Sequence, residues 1–298
     1  MDSRHNADTA AESPPPRHLP GHIAAALAGA GGRTDSAGQP WEGRTLAGDD
    51  GRLHNFEDDD GTADAGYLAA LAALVDGSGD EAAVIASLAT ARVFIPIIAQ
   101  VGEEAAGVDG LTADKQADMV MVTLTAADGR TAMPAFTSAD AMAAWHPEAR
   151  PVAVYAARAA LSAVAEGAEL LVLDPGSEFT FVVRRPAVWA LAQQQDWNPS
   201  YTDAALAAEM AEATGTFPAV RQLSLLPGSG VATVSGTGTK LPGGGAGPEL
   251  QVLLHLEDGL DATAVRDLVS RLQHAWTRNV LFGERVDSIE IKLRRAAQ

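Results

Sequence analysis

Residues 118–125 read Asp-Met-Val-Met-Val-Thr-Leu-Thr, with no glycine or proline and an apolar or β-branched side chain at every position after the first. An extended chain of this composition is apolar on both faces, which predicts a central strand. Asp128-Gly129 follows, and glycine's tolerance of positive φ makes that pair a tight turn. Residues 131–136 return as a second strand. Pro134 cannot donate to a ladder, so this strand is expected at a sheet edge, or to end there. Thr137-Ser138-Ala139-Asp140 has the spacing of a capping box, with Thr137 as the helix N-cap, and Pro147 stops that helix soon after Trp145.

The same layering repeats on both sides of this hairpin. Ala/Leu-rich helices are expected over 65–75 and over 81–90, the second capped by Asp80. Residues 92–99 form an apolar strand in which Pro96 predicts a bulge or an edge position. Beyond Trp145 the order is strand (151–155), helix (156–166, closed by Gly167), strand (169–174), a Pro175-Gly176-Ser177 turn, strand (178–183) and a helix opened by Pro186. Residues 196–200 mark a domain boundary. A helix over 201–214, a strand over 217–226, a glycine-rich stretch over 227–248, a strand over 249–256, an amphipathic helix over 261–278 and a closing strand over 286–293 complete the chain. The fold class is α/β, with α+β as the alternative: mixed sheets layered with helices in two small domains, 41–197 and 198–298, behind a disordered tail over 1–40. The 227–248 stretch is expected to be a flexible loop.

Composition limits the partners. The chain has 39 acidic and 21 basic side chains, a net charge of −18, and residues 1–150 alone hold 23 acidic and 9 basic ones. Nucleic acid and anionic membrane both require clustered Lys and Arg, so neither is an expected partner. No cysteine is present, which removes disulfides, thiolate catalysis and Cys-based metal sites and suits a reducing compartment. No run of about 18 apolar residues predicts a transmembrane helix, and the N-terminus lacks the apolar core of a signal peptide. A cytoplasmic protein is expected.

Motifs for chemistry fail on spacing. The acidic turns at 49–51 and 58–61 do not place ligands at the alternate positions of a calcium loop, and they are expected to act as caps and turns. Lys240 is followed by Leu241, and the glycine before it is misplaced for a phosphate-binding loop. Pro227 stands where a nucleophile elbow requires glycine. The seven histidines make no helical i, i+4 pair outside the N-terminal tail. Arg184-Arg185, between a strand and a helix, is expected to form salt bridges, with anion binding at the helix start as the alternative. Trp145, Trp189 and Trp197 are expected in core or interdomain packing. No cofactor, metal or catalytic residue is nominated.

The segments 92–98, 118–124, 128–138 and 171–177, above all Pro134-Ala-Phe-Thr-Ser138 and Leu173-Asp-Pro-Gly-Ser177, resemble the SseB N-terminal domain family. Trp41-x-Gly-Arg-x-Leu46 resembles its actinobacterial branch. The resemblance covers about 41–197. It implies an α/β domain and brings no catalytic residue with it. The family name, from an enhanced serine sensitivity phenotype, implies an amino-acid sensor or enzyme as the alternative to a binding module. Open α/β sheets bind ligands at strand ends. The expected ligand or partner surface therefore gathers Pro96, Phe136, Thr137, Ser138, Asp174, Pro175, Gly176 and Ser177, and its partner is a protein or a small metabolite.

Overall fold

The computed structural model of the chain describes residues 56, 59–101 and 117–296. The tail over 1–40, Trp41 and the acidic turn at 49–51 lie outside the described residues. By backbone contacts, the described residues 59–98 and 121–296 belong to one compact unit. The architecture is α/β, with mixed sheets layered against helices. No described helix is long and apolar enough to cross a membrane.

Asp64 and Asp80 each accept a hydrogen bond from a first-turn N–H and so start α1 (Ala65–Asp76) and α2 (Glu81–Leu88). The next strands are β1 (Arg92–Val101) and β2 (Ala117–Met121). The apolar run expected as one central strand is interrupted: its second half is β3 (Leu124–Thr125), an edge strand of two residues. The Asp128-Gly129 turn is present, with Gly129 at φ 88. It leads into β4 (Thr131–Ala135), followed by α3 (Ala139–Trp145), β5 (Arg150–Tyr155), α4 (Ala156–Ala165), β6 (Leu170–Leu173), β7 (Phe181–Val183) and α5 (Arg185–Ala192).

Four strands form a sheet in the order β3-β4-β6-β7, with β4 and β6 parallel. β4 is therefore interior and not at the edge that Pro134 suggested, but it ends at Ala135, one residue past Pro134, in line with the other expectation. The carbonyls of Thr131 and Ala135 bind Glu169 and Asp174 on the β6 side. Backbone groups alternate sides along a strand, so Pro134 turns toward β3, which pairs only with Thr131 and Ala132. The missing N–H thus faces a locally open flank. Pro96 is accommodated in a similar way. It stands opposite Pro151 in a β1–β5 register that runs from Arg92 to Ile97 without a bulge. Phe94 exchanges both its backbone hydrogen bonds with Phe136, away from β5, so the pairs at 94 and 96 demand no N–H from the β5 side. Leu171, Leu173, Val183, Ala156 and Ala160 join α1 and α2 side chains in the first core.

After a 3-10 turn (Ser200–Thr202), α6 (Ala204–Gly215) is capped by Asp203, and β8 (Val220–Pro227) follows. The strands β8, β11 (Leu250–Leu256) and β12 (Ile289–Arg295) form a sheet in the order β12-β11-β8. β11 and β12 are parallel and joined through α7 (Ala262–Thr277) and a short α8 (Val280–Arg285). Leu250, Val252, Leu254, Leu272 and Trp276 make the second core.

The glycine-rich stretch is folded, where a flexible loop was expected. β9 (Ala232–Val234) and β10 (Lys240–Gly244) form a hairpin, and Leu241, fully buried, belongs to the first core. Arg184, buried at the end of β7, donates to the carbonyls of Gly247 (2.6 Å), Gly230 (2.9 Å) and Gly245 (2.6 Å). It also lies 3.6 Å from the Asp287 carboxylate, while Arg130 meets the other Asp287 oxygen at 2.7 Å. The glycines let backbone meet backbone: a Cβ on Gly230 would stand 2.1 Å from Gly247, whereas one on Gly236 would meet nothing within 4 Å. Gly230→Ala is therefore expected to lower stability by about 2 kcal/mol or more, and Gly236→Ala to leave it nearly unchanged, in urea unfolding of both variants.

Candidate functional site

β4 and β6 end side by side because they are parallel neighbours, and this brings together the two loops singled out in the sequence. Asp174 accepts from the Thr137 backbone N–H (2.8 Å) and from the Thr137 hydroxyl (2.7 Å), all within buried groups. Asp174 adopts φ 47, a left-handed conformation uncommon outside glycine, and holds it through the Ser177 N–H and hydroxyl, both of which bind its carbonyl. Thr137 is thus consumed by Asp174, and the N-cap of α3 is Ser138, whose hydroxyl accepts from Ala141 N. The expected Thr137 capping box is replaced by this long-range pair.

Arg92 completes the arrangement from β1. It donates to the Thr137 carbonyl (2.7 Å) and to the Thr62 carbonyl, and meets both Asp59 oxygens at 2.6 and 2.8 Å. These hydrogen bonds hold the Asp59 carboxyl below its ordinary pKa. The acidic turn therefore anchors an arginine, and it also caps locally, through Asp59 to Gly61 N and Asp60 to Thr62. Of the eight expected surface residues, Pro96, Phe136, Thr137 and Asp174 are buried, and Phe136 stacks on Trp145 with ring centroids 5.2 Å apart. Gly176 and Ser177 are exposed. The cluster is an internal cross-link with a small solvent-facing rim.

A second buried polar group lies under the hairpin. Glu81 accepts from Gly244 N (2.7 Å) and from the Tyr201 hydroxyl (3.2 Å). Burial pushes its carboxyl pKa up. Glu249 accepts from Ser200 N and Asp287 N. Arg185 is engaged as well, donating to the Gly283 and Val286 carbonyls and stacking over Trp189. The expected pairing of Arg184 and Arg185 is thus mainly with carbonyls. Among the described residues no group of three His, Asp or Glu side chains could hold a metal ion.

Different chemistry appears in a cleft of about 380 Å³ between α2 and the chain leaving α5. Its floor is small and apolar: Ala82, Ala83, Ala86 and Ala89 with Ile85 and Leu191. Its rim is Gln194, Gln195, Asp196, Trp197 and Asn198. The rim is set by Gln194, whose φ of 55 reverses the chain so that Gln195 N reaches back to Ala190 O and closes the helix. No rim side chain has a hydrogen-bond or ionic partner among the described residues, and the Trp197 indole N–H is buried without one. The sequence reading placed a domain boundary here; the usable signal was the run of planar polar side chains around one tryptophan.

Residues 68–190 match the SseB protein N-terminal domain. The match runs from α1 into α5, includes both SseB-type strand-end loops and the α2 floor, and stops short of the cleft rim. No curated protein and no solved structure matches the chain.

Burial raises the Asp174 pKa, against the two Thr137 hydrogen bonds, which lower it. A carboxyl whose pKa is raised on folding takes up a proton more readily in the native state, so its contribution to stability declines as pH rises from 3.8 through the raised value. Thr137→Val removes one donor to the charged form and enlarges that decline. The variant is expected to lose about 1–2 kcal/mol at pH 7 and less at pH 4, measured as the difference from the parent in urea unfolding at each pH.

Proposed function

We propose that this protein acts by binding, without covalent chemistry, and that its ligand seats in the cleft between α2 and residues 194–198. One observation carries the reading. The cleft rim gathers five polar side chains that have no hydrogen-bond partner among the described residues; four of them, Gln194, Gln195, Asp196 and Asn198, are exposed to solvent beside a small apolar floor. Polar side chains at the edge of an apolar cleft can exchange their water for a ligand, and the volume of about 380 Å³ lies within the common range of small-molecule sites, about 300–1,000 Å³. In this reading Thr137, Asp174 and Arg92 serve as the frame that holds the SseB-type segment rigid. A cytoplasmic setting and an actinobacterial affinity of that segment belong to the same proposal.

The test is a thermal-shift screen against a panel of small metabolites, repeated on Ala86→Phe. Ala86 is exposed, so the larger side chain fills the cleft without entering the core. At least one compound class is expected to raise Tm in the parent and to have no effect on Ala86→Phe. A shift that survives in that variant, or consumption of a panel compound with product formed, would overturn the proposal.

A further inference from the structure

We infer that two copies of this chain join through the outer edge of β12, making one continuous sheet from two three-stranded ones. β12 runs regularly over seven residues and pairs, among the described residues, with β11 alone. Leu250 N donates to Ser288 O and Ala296 N to Leu256 O, so the even-numbered residues turn their backbone groups toward β11. Those of Ile289, Ile291 and Leu293 therefore face outward, a row of donors and acceptors open to a further strand. Their side chains lie on the side of the second core, where Ile289 and Ile291 are half-buried and Leu293 is 42% exposed.

The strand's own sequence selects a second copy as the occupant. An antiparallel copy must set outward-facing residues opposite outward-facing residues, so the two-fold axis falls at a residue and not between two. With the axis at Ile291, Glu290 stands opposite the partner's Lys292 and Lys292 opposite the partner's Glu290, while Ile289 meets the partner's Leu293 on the core side. An axis at Glu290 opposes two glutamates, one at Lys292 opposes two lysines, and one at Leu293 opposes Lys292 and Arg294. Opposite charges across a strand pair stabilise it and like charges oppose it, so the charge pattern fixes the register at Ile291. A lone lysine on an edge strand repels a second strand; Glu290, already 3.4 Å from Lys292 in the same chain, makes the edge self-complementary. The other edge of the sheet lacks this pattern: β8 ends in Pro227, and its register on β11 shifts at His255 and Leu256.

Light scattering on size-fractionated full chain, over a concentration series, together with residue-resolved amide hydrogen exchange, tests this. The parent is expected at twice the 30.7 kDa chain mass, with the Ile291 and Leu293 amides exchanging as slowly as those of Lys292 and Arg294. Lys292→Glu sets glutamates opposite each other and is expected to weaken the dimer about tenfold or more; adding Glu290→Lys reverses both charges and restores it. Leu293→Pro removes an outward N–H that β11 does not use, so a folded monomer is expected, in which Ile291 exchanges quickly and Lys292 stays slow. A parent that stays at the mass of one chain overturns the inference, and slow Ile291 and Leu293 amides at that mass show that another segment of the same chain holds the edge. A dimer that survives Lys292→Glu unchanged, or is not restored by the charge swap, overturns it as well, and this holds even where Leu293→Pro fails to fold.

Discussion

The guanidinium of Arg184 fastens the glycine-rich hairpin to the rest of the compact unit. It is buried at the junction of β7 and α5 and gathers three carbonyls from residues 230–247, with Asp287 beside them. A buried cation is tolerable when most of its donors are met and a counter-charge is close. Three carbonyls and the counter-charge come from segments that reach Arg184 only through folding, while its buried Nε has no partner; the interaction joins the hairpin, the end of the first core and the approach to β12. Leu241 in the first core, and Gly244 against Phe181 and Glu81, follow from that fastening.

The site geometry rests on two residues that accept a strained backbone. Asp174 and Gln194 are the two described non-glycine residues at positive φ, and each sits at one of the two polar clusters considered. At Asp174 the strain is repaid within the protein by Thr137 and Ser177. At Gln194 it turns the chain so that Gln195 N closes the helix on Ala190 O. Residues held in sparsely populated conformations persist only when the surroundings over-determine them, as the bonds at both turns do.

Much of the fold was legible because it depends on close neighbours in the chain. The cap at Asp80, the Asp128-Gly129 turn and the Gly167 helix end all act within three or four residues. Pro134 marked the end of β4, but the edge expected at Pro134 and at Pro96 was misread, because an edge is a property of one flank of one residue, set by how far the neighbouring strand extends. The glycine-rich stretch was misread because composition is the same for a loose loop and for backbone packed on backbone; Arg184, far away in sequence, decides between them. The meeting of Thr137 and Asp174 followed from family resemblance and strand-end logic, but their burial did not. The cleft was not legible, since it exists only where α2 lies beside residues 194–198.

Residue-resolved amide hydrogen exchange over 228–248 in the intact protein tests the account most directly. Gly228, Gly230, Gly244 and Gly245 donate to Glu249, Pro248, Glu81 and Val231. The account predicts that these four amides exchange on the slow timescale of the β11 amides, while Gly236 at the hairpin tip exchanges quickly. Exchange of all five at the rate of an unstructured chain would contradict it.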